Sequence, residues 1–246
     1  MTGAVSKKEF VGGMFDAIAP TYDALNHFLS LGIDRLWRRR VVRMVSRASL
    51  VGTAGDEAIR KFTILDVATG TGDLVISLAR RIAAARIVGV DISEGMLARG
   101  REKVARCSLS GRIVLQPGDA EALEFPDSTF DAVTVAFGVR NFGDIDSGLR
   151  EMQRVLRPGG RCFVLEFSEP RGALFGPVYR FYFHRVLPWL GRLVSRDRGA
   201  YSYLPRSVDE FPAPERFAAM LREAGFAAVR VRRLSLGIAY VYEAEK

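Results

Sequence analysis

Between residues 62 and 167 short apolar runs alternate with stretches of helical spacing. Phe62-Thr-Ile-Leu-Asp-Val67 reads as a buried strand that runs into a turn at Gly70 and Gly72. Leu74 to Ala85 has apolar residues at helical spacing, with Arg80 and Arg81 near its end. Arg86-Ile-Val-Gly-Val90 is a second strand, closed by Asp91, and Ser93 can cap a helix running from about Glu94 towards Arg106. Ile113-Val-Leu115, Phe130 to Phe137 and Arg161 to Phe167 are further strands. A helix from about Asp146 to Leu156 is stopped by Pro158-Gly159-Gly160. Apolar, β-branched strands separated by helices predict an α/β chain with a parallel sheet covered on both faces.

The rhythm breaks after residue 170. Residues 171–206 form an aromatic and basic insertion, which the pattern predicts to be helical. Pro214 to Ala224 then reads as a helix stopped by Gly225. Val229 to Leu234 and Ile238 to Tyr242 have strand character, and Ser235-Leu236-Gly237 between them suggests a hairpin that adds antiparallel pairing to the end of the sheet. Residues 1–50 are a helical prelude. With 246 residues, no internal repeat and no low-complexity linker, residues 1–246 are expected to form one domain.

Composition narrows the class. Hydrophobic residues are 48% and charged residues 26%, which excludes a disordered chain. Two cysteines, Cys107 and Cys162, are too few for a disulfide framework, and His27 and His184 lack ligand spacing, so no metal is expected. No apolar run is long enough to span a bilayer, and the first residues lack the apolar core of a signal peptide. A cytoplasmic location is the expectation. The net charge is +8. Residues 1–50 hold eight Lys/Arg against four Asp/Glu, and residues 171–206 hold seven Arg against one Asp. The remainder is slightly acidic, so whatever favours positive charge meets the two flanking segments.

The strongest chemical signal is Ile64-Leu-Asp-Val-Ala-Thr-Gly-Thr-Gly-Asp-Leu74. A strand ends, glycines turn the backbone, and a helix N-terminus follows. Asp91 closes the next strand, where an acid can hold both hydroxyls of a ribose. Gly118-Asp119-Ala120 follows the third strand, where it can read an adenine amino group. The loop carries Asp66 and Asp73 and lacks the third glycine of a dinucleotide fingerprint. A pyrophosphate wants bare N–H groups without nearby carboxylates. S-adenosylmethionine has no phosphate and two positive groups, which suit acids. It is therefore preferred over NAD, although Asp91 alone also reads as a helix cap.

Four stretches resemble one family: Met14-Phe-Asp-Ala-Ile-Ala-Pro-Thr-Tyr-Asp-Ala-Leu-Asn26, the glycine loop, Phe137-Gly-Val-Arg-Asn141, and Tyr203-Leu-Pro-Arg-Ser-Val-Asp-Glu-Phe-Pro212. They are similar to the quinone-biosynthesis C-methyltransferases of UbiE/MenG type, and the likeness spans roughly residues 9–246. The resemblance implies a class I S-adenosylmethionine-dependent fold, Rossmann-like, with a mostly parallel seven-stranded sheet and an antiparallel C-terminal strand. It implies methylation of a ring carbon of a polyprenyl hydroquinone, demethylmenaquinol in the first place and the benzoquinol of the ubiquinone pathway as the alternative. Donor contacts are implied at Thr71, Asp91, Asp119 and Ala120, beside Asp66, Gly70 and Gly72 of the loop. Tyr22 is expected to reach the methionine end of the donor. Two positions depart from the family: Ala136 stands where serine is frequent, and Tyr242 stands where a histidine is expected.

A hydroquinone carbon ortho to a phenolate is a good nucleophile, so such an enzyme has to favour the phenolate and keep it dry. Arg140 is the candidate for holding that oxyanion, because a guanidinium keeps its proton and makes a poor base, and Asn141 for the other ring oxygen. Asp16 is expected near the substrate on an N-terminal lid. Structural readings stand beside these: Arg140 as a capping arginine, the lid acids as solvated residues, His27 as a structural histidine rather than the base. The aromatics and arginines of 171–206 suit a tail groove and a peripheral contact with the inner face of a membrane, or else a buried helical cap. A homo-oligomer is open. A nucleic-acid methyltransferase would explain the charge, but the chain has neither an Asp/Asn-Pro-Pro-Tyr stretch nor a Pro-Cys pair. A small-molecule methyltransferase and a silent donor-binding protein are the other readings.

Overall fold

The computed structural model describes residues 6–23, 30, 32–51, 61–170, 185 and 200–246. Its strands are β1 Thr63–Val67, β2 Arg86–Asp91, β3 Ile113–Pro117, β4 Phe130–Ala136, β5 Leu156–Phe167, β6 Ala228–Leu234 and β7 Ala239–Glu245. They make one sheet in the order β3-β2-β1-β4-β5-β7-β6. The first five run parallel, and β7 lies antiparallel to both β5 and β6. The described α-helices are α1 Lys7–Ile18, α2 Ile33–Val51, α3 Asp73–Arg81, α4 Glu94–Arg106, α5 Ile145–Val155, α6 Ala200–Asp209 and α7 Pro214–Glu223.

Strand alternation sorts the core into two layers. Ile64, Ile87, Ala132 and Phe163 face α2, α3 and α4, where Trp37, Val41, Leu78 and Leu97 meet them. Their neighbours Leu65, Val133, Cys162 and Val164 face α5 and α7, against Leu149, Met152, Phe217 and Leu221. Both faces are covered, which is why the central strands place apolar residues on both faces rather than at alternate positions only. At the edge, β6 exposes Arg230, Arg232 and Arg233, charges that discourage pairing with another chain.

The hairpin at Ser235–Gly237 forms as a 3-10 turn between β6 and β7. It places Tyr242 opposite Val164 in the centre of the sheet, with its ring 4.7 Å from that of Phe217. The family departure at this position is therefore a core residue, and burial raises its phenol pKa. Cys162 is also core, its thiol pushed up to about 12 by burial. Two boundaries differ from expectation. α3 ends at Arg81 rather than Ala85, because the Arg112 guanidinium takes the carbonyls of Ala79 and Ala83, both at 2.7 Å. β5 starts at Leu156, before the Pro-Gly-Gly turn, with a register shift between Phe130 and Ala132 on its partner. Residues 171–184 and 186–199 lie outside the described residues, as do His27 and His184, so the expected aromatic insertion is represented by exposed Arg185 and α6.

Candidate active site

A cleft opens at the carboxyl ends of β1, β2, β3 and β4, where the strand order reverses between β1 and β4. Open α/β sheets bind ligands at this switch point. Gly70, Asp91, Asp119 and Ala120 line one part, and Ala136, Phe137 and Asn141 line another. α1 covers it, with Lys8, Phe15 and the following Tyr22 facing inward. The enclosed space is about 70 Å³. Small-molecule sites run from about 300 Å³ upward, so this is a covered arrangement of the lid.

Asp91 accepts the Gly70 N–H at 2.8 Å on Oδ2 and the Ser93 N–H at 2.9 Å on Oδ1. Each carboxylate oxygen keeps a further lone pair for a ligand hydroxyl. Burial raises the carboxyl pKa, against the opposing effect of these N–H donors. Asp119 accepts from the Glu121 N–H, and its other oxygen is 2.7 Å from Lys8 Nζ, which also reaches Glu121 at 2.8 Å. Three acids at one end of the cleft against a single lysine fit a cationic donor such as S-adenosylmethionine. A Cβ on Gly70 would meet nothing within 4 Å, so the backbone there is open to a ligand.

The structure brings Tyr22, Gly70, Asp91, Asp119, Ala120 and Asn141 onto the cleft and leaves five expected residues off its lining. Asp66 lies beneath the floor, where the hydroxyls of Thr134 and Thr69 donate to it at 2.5 and 2.7 Å. Burial pushes its carboxyl up to about 6. Thr71 points to the back of the loop and donates to Asp23 at 2.5 Å, and Lys103 ties Asp23 to Asp73. Gly72 caps α3 in the left-handed conformation. Asp16 accepts from Ser93 Oγ at 2.6 Å and from the Gly95 N–H at 2.9 Å, so it pins α1 to the N-terminus of α4. Arg140 turns inward because a fully buried acid, Glu166, awaits it at 2.9 Å. Its guanidinium also donates to the Phe137 carbonyl and to Ser207 Oγ, and lies 5.5 Å from the Phe167 ring.

Glu166, Tyr203 and Phe137 stand beside these residues, although the sequence pattern assigns none of them a place in the site. Glu166 reads as one polar residue in an apolar strand, which is itself the clue: a buried carboxylate needs a cation. Tyr203 donates to Asn141 Oδ1 at 3.2 Å and so orients that amide, and burial keeps its phenol pKa raised. Its ring is 5.9 Å from that of Phe10 on α1. Phe137 sits at φ 62, a strained conformation for a bulky residue at the rim of the cleft. The following Gly138 is required because a Cβ there would lie 2.5 Å from Ala68. The close helix–loop approach expected of a third glycine comes from Gly100 on α4, where a Cβ would lie 3.3 Å from the Thr71 backbone.

Comparison with known proteins agrees with this geometry. The model of the ubiE/COQ5 methyltransferase family matches residues 1–246. The chain is 50% identical over 241 residues to the ubiquinone/menaquinone biosynthesis C-methyltransferase UbiE of Geobacter sulfurreducens, covering 98% of this chain and 90% of that one. It is 49% identical over 233 residues to the demethylmenaquinone methyltransferase of Thermus thermophilus, covering 95% of this chain and all of that one (100%). Among solved structures, a putative S-adenosylmethionine-dependent methyltransferase of Methanococcus maripaludis superposes with a TM-score of 0.59 at 19% identity, over 100% of this chain and 97% of that one. That likeness shows the fold, the class I methyltransferase sheet.

Proposed function

The chain belongs to the ubiE/COQ5 methyltransferase family and is an S-adenosylmethionine-dependent C-methyltransferase of quinone biosynthesis; from that premise we propose that it methylates demethylmenaquinol. The observation that carries this reading is a single covered cleft. Its acids, Asp91 and Asp119, stand at one end, and the aromatic and amide pair Phe137 and Asn141 at the other. When bound, S-adenosylmethionine supplies an electrophilic methyl group. Asp91 holds the ribose hydroxyls with the lone pairs that Gly70 and Ser93 leave open. Asp119 and Ala120 receive the adenine, and Tyr22 and Gly70 close over the methionine end.

On the substrate side, Asn141 is the residue that meets a ring oxygen. Tyr203, a neutral phenol, occupies its Oδ1, and one amide N–H leans on the Phe137 carbonyl at 3.5 Å, so the other N–H serves an oxyanion. Arg140 acts as a positioning residue. By holding the Phe137 carbonyl, it fixes the turn from which Phe137 and Asn141 project. Asp16 acts on the lid rather than on the substrate. The aromatic and basic stretch 171–206, most of which lies outside the described residues, is our candidate for meeting the prenyl tail and the membrane surface. No helix among the described residues is long and apolar enough to cross a membrane.

A second reading is favoured by the relatives' names. The Geobacter relative carries both quinone pathways in its name, which makes the ubiquinone-pathway benzoquinol a further candidate substrate. Transfer of labelled methyl from S-adenosylmethionine to chemically reduced demethylmenaquinone in detergent tests both, with a demethoxy-benzoquinol precursor and an RNA alongside. Label on the naphthoquinol alone is the expected result. Label on both quinols makes the enzyme dual, and label on neither, with donor binding intact, overturns the quinol reading.

A further inference from the structure

A second concavity lies behind the glycine loop, on the outer surface of α2, α3 and α4, with a volume of about 350 Å³. Its walls are three helix faces read at helical spacing: Arg35, Arg38 and Arg39 on α2; Asp73, Ile76, Ser77 and Arg80 on α3; Lys103, Arg106 and Cys107 on α4. Six cations thus face one acid. That acid is already engaged, since Asp73 lies 2.5 Å from Lys103 and 3.4 Å from Arg38. Among the described residues no acid pairs with Arg35, Arg39 or Arg80.

Helix electrostatics explains part of this cluster and not the rest. Arg80 and Arg106 stand in the last turns of their helices, where the macrodipole favours cations. Arg35 and Arg39 stand in the first two turns of α2, where it opposes them. Like charges gathered on an exposed concave surface focus a positive potential. Arginine forks match phosphate oxygens bidentately. The volume is of small-molecule size.

We propose that this groove binds phosphate oxyanions, with Arg35, Arg39 and Arg80 as the principal ligands. The anion has two sources: a free oligophosphate, or the headgroup of an anionic lipid. The inference is independent of which quinol is methylated, and Arg35, Arg39 and Arg80, the last donating to Cys107 Sγ at 3.1 Å, do not line the cleft.

The test uses the full chain and the Arg35→Ser/Arg39→Ser/Arg80→Ser variant, which spares Arg38 and Lys103 beside the donor loop. Inorganic diphosphate is titrated calorimetrically at low salt. Flotation with phosphatidylglycerol vesicles is compared with phosphatidylcholine vesicles. S-adenosylmethionine affinity, expected to be equal in both proteins, verifies that the variant is folded. Diphosphate binding that weakens at least tenfold in the variant supports a free oligophosphate ligand. Flotation on the anionic vesicles alone, lost in the variant and without diphosphate binding, supports a lipid headgroup. Wild-type protein that binds neither probe, or a folded variant that binds as wild type does, overturns the proposal.

Discussion

At the scale of single residues, the cleft depends on charges that are buried and paired. Arg140 and Glu166 are 8% and 0% exposed, so neither ion can be left alone without cost. Breaking a buried pair by removing one partner typically costs about 3–5 kcal/mol, because the survivor stays buried and charged. Arg140→Met should therefore lower stability by about that amount, and adding Glu166→Gln should recover more than half of it, read from urea midpoints. If Arg140 positions Phe137 and Asn141, the folded double variant keeps donor affinity and loses kcat. Asp91 is the opposite case, a residue whose charge serves the ligand. Charge-assisted hydrogen bonds contribute roughly 1.5–3 kcal/mol each, so Asp91→Asn should weaken S-adenosylmethionine binding by about ten- to a hundredfold in calorimetry. Loss of less than threefold would remove Asp91 from the donor site.

At the scale of elements, α1 is the part of the site that has to move. It is latched at three places: Asp16 on the N-terminus of α4, Lys8 on Asp119 and Glu121, and Lys7 on the carbonyls of Arg140 and Phe142. A side-chain cap contributes about 0.5–2 kcal/mol. Asp16→Ala should expose α1 to limited proteolysis several-fold faster, and raise the rate of donor association in stopped-flow while turnover falls. An unchanged cleavage rate would mean that the latch does not hold the lid. The elements that needed only local pattern were legible in the sequence: the central strands, the Ser93 cap and the hairpin at Ser235–Gly237 all lie where periodicity and turn residues put them. What pattern cannot supply is contact across the chain. Arg112 is 33 residues from the Ala79 carbonyl that it caps, so the early end of α3 has no local cue. Arg140 is 26 residues from Glu166, and an arginine at the rim of a site reads as a ligand until its buried partner is seen. The resemblance picked out four stretches, two of which meet here through Tyr203 on α6 and Asn141 in the turn after β4, with Phe10 of α1 beside Tyr203.

At the scale of the molecule, the acids under and in the cleft make folding and donor binding respond to pH in opposite directions. Asp66 has a carboxyl pushed up to about 6 by burial, against about 3.9 for an unfolded aspartate. Between these values the folded chain binds more protons than the unfolded one, so stability falls as pH rises through roughly 4 to 6. Two pKa units correspond to about 3 kcal/mol, withheld from the folded state above pH 6 and returned on acidification. Asp66→Asn removes the charge while keeping a group that hydrogen-bonds Thr69 and Thr134. It should remove the Asp66 share of the stability decline across this window, read from urea midpoints, and should leave the variant at least as stable as wild type at pH 7.5. Donor binding runs the other way. Asp91 is also raised by burial, and a cationic donor requires it ionised, so S-adenosylmethionine affinity should fall as the pH is lowered from 7.5. Asp66→Asn should not alter that dependence, because Asp66 lies beneath the cleft floor rather than on it. Measured side by side on both proteins, a stability slope that shifts in Asp66→Asn and an affinity slope that persists would separate the acid that shapes the floor from the acid that holds the ligand. If both slopes shifted together, the two carboxylates would be one coupled unit, and the donor would be sensing Asp66 through Asp91.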